Sequence, residues 1–115
     1  MVSGLARGID TVVHTEAMAH RQRTIAVIGT LLGVAYPRAN AALQRRIAEQ
    51  HLVISELAPG SAVVPGNFLR RNRTMALIAD ASVIIEAGED TGTRSQGWEA
   101  LRLGRPLFLL KSLGA

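Results

Sequence analysis

Three stretches of this chain hold the residue types that could do chemistry. The first, Ser3-Gly4-Leu5-Ala6-Arg7-Gly8-Ile9-Asp10, sets two glycines, a serine and an arginine ahead of a helical pattern. Glycines let backbone amides approach an anion closely, and the positive end of the helix adds to the attraction. Gly4 and Gly8 do not make the three-glycine dinucleotide fingerprint, and no P-loop lysine follows them. The second, Asn67-Phe68-Leu69-Arg70-Arg71-Asn72-Arg73-Thr74, gathers three arginines with no acid between them. On a helix Arg70 and Arg73 share a face while Arg71 points elsewhere, so a basic group is expected near the helix's amino-terminal end, suited to phosphate. The third runs from Glu86 to Ser95 and contains Gly92-Thr93-Arg94, where amides and hydroxyls could cradle a phosphate before a helix. Glu86, Glu89, Asp90 and Glu99 supply carboxylates there, able to bind a ribose hydroxyl, act as a base or cap a helix. His14, His20 and His51 lack metal-site spacing, so no metal is expected.

The elements that must position these stretches alternate along the chain. Ile25–Ile28, Leu52–Ile54, Ser82–Ile85 and Leu107–Leu110 read as short, near-continuous apolar strands, the pattern of a parallel sheet buried on both faces. Thr11–His20, Asn40–Gln50, Phe68–Ala79 and Ser95–Leu103 carry helical patterns. Asn40 is placed as a cap, Leu43 and Ile47 on one apolar stripe, Phe68, Met75 and Ala79 on another, and Trp98, Leu101 and Arg102 at helical spacing in the fourth helix. Gly104 is the expected stop before Arg105-Pro106. The alternation predicts an α/β fold, a Rossmann-like, doubly wound, mainly parallel sheet with helices on both faces, its core including Ile25, Val27, Val53, Ile84 and Ile85. In such a sheet ligands bind beyond the carboxyl ends of the strands, where the three stretches fall. Val2-Ser3-Gly4 reads as the end of a strand with no βα unit before it, so a single domain over 1–115, reduced or truncated at its start, is expected.

At 115 residues, 48% hydrophobic and 19% charged, the composition builds one core and excludes a solvating tail. Zero cysteines remove disulfides, thiolate-ligated metals and thiol catalysis, and fit a reducing compartment. No apolar run approaches the roughly 20 residues of a membrane span, and no signal-peptide pattern opens the chain. The net charge is +4, and Lys111 is the only lysine, so the positive charge is almost all arginine. Arginine's planar donor fork suits phosphate, which makes a nucleic-acid or nucleotide binder a natural reading. Aromatic residues are scarce, limited to Tyr36, Phe68, Trp98 and Phe108, so phosphate contacts should outweigh base stacking.

Taken in order, Ser3 to Asp10, His14, Ala17, Thr24 to Gly29, Tyr36-Pro37, Ser55-Glu56, Phe68 with Arg71-Asn72-Arg73, Glu86-Ala87 and Gly104-Arg105 resemble the DprA/Smf family of DNA-processing proteins. The resemblance implies an extended Rossmann-like fold that binds single-stranded DNA, loads the recombinase RecA onto it and protects incoming DNA during natural transformation. It implies a cytoplasmic location, no cofactor and no catalytic residue, with RecA and a second copy of the chain as protein partners. By position, the Ser3 to Gly8 loop and Arg71-Asn72-Arg73 would line the DNA pocket, which with the residue-level reading makes Ser3, Gly4, Arg7, Gly8, Arg70, Arg71, Asn72, Arg73, Gly92, Thr93 and Arg94 the candidate site. The family's first βα unit has no counterpart here. An alternative comes from Gly92-Thr93 and Glu99, which are similar, at altered spacing, to the Gly-Gly-x-Gly-Thr-x-x-Glu site of LOG-type nucleotide phosphoribohydrolases. A non-catalytic nucleotide-sensing module is the third reading.

Overall fold

The computed structural model describes residues 1–85 and 91–110. Within the chain two compact units separate, Met1–Arg71 and Asn72–Ala115.

In the first unit three parallel strands lie in the order β1 (Val2–Ser3), β2 (Ile25–Ile28), β3 (Leu52–Ser55). The register sets Val2 against Ile25, and Ile25 to Ile28 against Leu52 to Ser55. Two helices make the crossovers, α1 (Ile9–Ala19) and α2 (Ala41–Gln50). Both crossovers step the same way across the sheet, so right-handed connection puts both helices on one face. The core under them is Leu5, Met18, Ala26, Ile28 and Ile47, with Leu43 and Val53 packed against it. Val27 is fully buried as expected, while Ile25 and Val53 are half-buried: β1 is too short to shield one, and among the described residues no strand pairs with the far side of β3.

Asn40 begins α2 but makes no side-chain cap. Its Nδ2 instead donates to the Leu5 carbonyl at 2.9 Å and to Thr11 Oγ1 at 3.0 Å. A residue whose type predicts a local cap is thus spent on a tie 35 positions away, because the Leu5 carbonyl is buried and must find a donor.

The boundary between the units falls inside α3 (Gly66–Ile78). The second unit pairs β4 (Ser82–Ile85) with β5 (Leu107–Leu110) in parallel, in register from Ser82–Leu107 to Ile85–Leu110, around α4 (Thr91–Arg102). β4 is not buried on both faces: Ser82 and Ile84 point in, Val83 is 64% exposed and Ile85 is half-buried. On α4 the large apolar residues face outward. Trp98 and Leu101 are exposed, and Gly97 and Ala100 form the inner face, with Ile84 Cδ1 lying 3.1 Å from where a Gly97 Cβ would be. Helix and strand approach too closely there for anything larger, so small residues take the contact and the large ones face out. Gly104, at φ 71°, ends α4 with its amide on the Leu101 carbonyl, and Arg105 closes on Ala100. All strand pairs are parallel and joined through helices, which makes the fold α/β and Rossmann-like.

Candidate nucleic-acid interface

The loop from Ser3 to Gly8 leaves the end of β1 and delivers the chain into α1. Its shape is set from within. Asp10, in the first turn of α1, accepts from the Ser3 hydroxyl with one carboxylate oxygen and from the Ala6 amide with the other, at 3.2 Å. Thr11 Oγ1 donates to the Ala6 carbonyl at 2.7 Å, and Asn40 holds the Leu5 carbonyl from outside the loop. Leu5 takes a left-handed conformation at φ 61° and is fully buried. A bulky residue in that region costs about 1–2 kcal/mol, so its complete burial keeps the loop in place. Gly8, at φ 80°, turns the chain into α1, and Arg7 and Gly8 stand exposed at the tip. The sequence pattern singles out Ser3, Gly4, Arg7 and Gly8; it misses Leu5, Asp10 and Asn40, although an acid in a helix's first turn is a signal that could have found Asp10.

From α3 the Arg71 guanidinium reaches back to this loop. Its Nη1 donates to the Gly4 carbonyl at 2.7 Å and to the Val27 carbonyl at 3.0 Å, joining the ends of β1 and β2. The guanidinium carbon lies 5.7 Å from the Phe68 ring centroid, and Phe68 in turn stands 5.6 Å from the ring of Tyr36, at 50°. Burial lowers the Arg71 pKa below the usual arginine range, opposed by the charge of Asp10. Two glycines make room for this stack: a Cβ on Gly4 would lie 2.6 Å from Arg71 Nη1, and one on Gly29 2.6 Å from Phe68 Cδ1. Beside it, Ile28, Gly29, Glu56, Leu57, Asn67, Arg70 and Arg71 line a recess of about 50 Å³, beyond the carboxyl ends of β2 and β3. That space holds a few water-sized groups, the bulk of a phosphate.

The other candidates lie in the second unit. Asn72 is buried. Arg73 Nε is 3.8 Å from Glu99 Oε2, while Arg102 Nη1 donates to Glu99 Oε1 at 3.2 Å, so the carboxylate on which the hydrolase alternative rests sits between two guanidiniums. Gly92, Thr93 and Arg94 fall inside α4, which starts at Thr91, and not in a loop ahead of it. Glu86, Glu89 and Asp90 lie outside the described residues. His14 faces the interior, its Nδ1 2.7 Å from Thr24 Oγ1, and among the described residues no group of acids and histidines could hold a metal.

Parallel strands joined through helices, with a braced glycine–arginine loop and an arginine-lined recess at the strand ends, define a Rossmann-like α/β protein. The chain belongs to the family of DNA recombination-mediator protein A, whose profile matches residues 1–113. It is 42% identical over 110 residues to the DNA processing protein DprA of Streptococcus pneumoniae, covering 96% of this chain and 39% of that protein. The crystal structure of the DprA of that organism superposes with a TM-score of 0.91 at 41% identity, over 98% of this chain and 40% of the other. DNA processing protein A from Helicobacter pylori, solved to describe its single-stranded DNA binding mode, superposes with a TM-score of 0.85 at 31% identity, over 98% of this chain and 51% of the other. The chain therefore spans about two fifths of the pneumococcal relative it matches. No helix among the described residues is long and apolar enough to cross a membrane.

Proposed function

We propose that this chain binds single-stranded DNA through its sugar–phosphate backbone, in the cytoplasm, as part of DNA processing and recombination. The observation that carries this reading is the arginine-lined recess beside the braced Ser3 to Gly8 loop, both at strand ends. Its roles divide. Arg70, exposed at the rim, takes phosphate directly; Arg7 and the amides at the loop tip form a second contact; Arg71 positions the loop. Within the second unit, Arg73 and the first turn of α4, with Gly92, Thr93 and Arg94, are separate candidate contacts. The relative from Helicobacter pylori, with its single-stranded DNA binding mode, supports the ligand class, and the family's description as a recombination mediator supports a recombinase such as RecA as protein partner, with a second copy of the chain as the other candidate.

Fluorescence polarisation with a labelled single-stranded oligonucleotide at two salt concentrations tests the reading. Affinity should fall steeply with salt, because each neutralised phosphate releases counterions. Affinity unchanged between low and physiological salt, or no binding, would end it.

A further inference from the structure

We infer that the groove between α2 and the outer edge of β3 docks an acidic protein segment in extended conformation. The groove encloses about 510 Å³, ten times the recess described above; Leu32, Gln44, Arg45, Ala48, His51 and Leu52 are among its walls. Gln44 is only 7% exposed. Its Nε2 donates to the carbonyls of Leu32 at 3.2 Å and Val34 at 3.3 Å, which fixes the amide's orientation, since the reverse would set oxygen against two oxygens. Gln44 Oε1 is then a buried acceptor with no hydrogen-bond partner among the described residues. Such an acceptor costs free energy until an N–H reaches it.

A second observation gives the shape of the occupant. β3 pairs with β2 on one side, and among the described residues no strand pairs with its other side. An extended chain added to a sheet edge supplies alternating N–H and C=O groups to such a row. Charge then selects its composition. Arg45 is exposed with no ion-pair partner among the described residues, His51 stands close by, and no carboxylate lines the groove. Leu32 and Leu52, 61% and 49% exposed, offer apolar contact between these polar groups. A strand alternating apolar and acidic side chains satisfies the open edge, the positive charge and the apolar contacts. A nucleic-acid backbone does not, since one arginine among leucines and alanines cannot neutralise successive phosphates.

The test uses the full chain and two fluorescein-labelled peptides, one alternating valine with aspartate and one alternating valine with lysine. The acidic peptide should bind and the basic one should not. Arg45→Glu should weaken binding by about tenfold or more through charge reversal. Ala48→Trp, at an exposed helical position, should abolish it by filling the groove, with the circular dichroism spectrum unchanged. The inference is overturned if the acidic peptide fails to bind, if both variants bind it like the parent, or if a single-stranded oligonucleotide displaces it competitively.

Discussion

Arg71→Ala separates bracing from phosphate contact. The substitution removes two charge-assisted hydrogen bonds, to the Gly4 and Val27 carbonyls at 2.7 and 3.0 Å, and the guanidinium's contact with the Phe68 ring. A bond to a charged donor contributes about 1.5–3 kcal/mol, and because one nitrogen serves both carbonyls the loss should be nearer 2–4 kcal/mol than the full sum. For a chain of this length 1 kcal/mol moves the melting midpoint by about 4 °C, so thermal unfolding followed by circular dichroism should show a drop of roughly 8–16 °C. Arg70→Ala, at an exposed position, should cost less stability than Arg71→Ala. Oligonucleotide titrations across salt should then reverse the ranking in a second respect. Arg70→Ala should flatten the slope of log K against log salt by about one phosphate contact, whereas Arg71→Ala should lower affinity with the slope retained. An Arg71→Ala protein that melts like the parent and loses one unit of slope would refute the bracing role and return Arg71 to the set of phosphate ligands.

Three other outcomes follow from the same geometry. His14 is held below the ordinary histidine value of 6.5, chiefly by burial and against the pull of Asp10. The unfolded chain therefore binds a proton that the folded one refuses, so stability is full above about pH 6.5 and declines as pH falls towards the depressed value; His14→Gln should show a shallower decline in denaturant titrations between pH 5 and 6.5, and parallel curves would contradict this. Gly29→Ala should drive a methyl into Phe68 Cδ1, costing about 1–3 kcal/mol as overpacking and shifting the Tyr36 fluorescence environment; an unperturbed variant would show that the ring moves freely. Asn40→Ala should leave the buried Leu5 carbonyl without its donor, at a cost of about 1–3 kcal/mol by chemical denaturation, and a loss under 0.5 kcal/mol would argue that water replaces it.

The strands are legible because apolar runs as short as Ile25–Ile28 and Ser82–Ile85 stand between polar breaks, and the structure starts and stops them at those residues. Helix starts are less so. α1 begins two residues before Thr11 because Gly8 has already turned the chain, and α4 begins four before Ser95 since Thr91-Gly92-Thr93 has loop-forming composition yet is helical. Burial on α4 runs against side-chain size: the close approach to β4 admits Gly97 and Ala100 and turns Trp98 outward, a fact of spacing that no hydrophobic pattern contains. At the candidate site residue type identifies the loop and the arginine cluster. It cannot tell which arginine reaches solvent, because Arg70 and Arg71 differ only in the direction each leaves α3, one to the rim and one to the carbonyls of two strands.

The bracing of the Ser3 to Gly8 loop has a kinetic consequence. Leu5 locked inside, Asp10 closing on Ser3 and Ala6, and Asn40 and Arg71 gripping carbonyls on either side mean that the loop's conformational entropy is lost when the chain folds. Little of it is left to lose at an encounter, so association should proceed as a single bimolecular step whose rate scales linearly with ligand concentration, without the plateau that a loop-ordering step would impose.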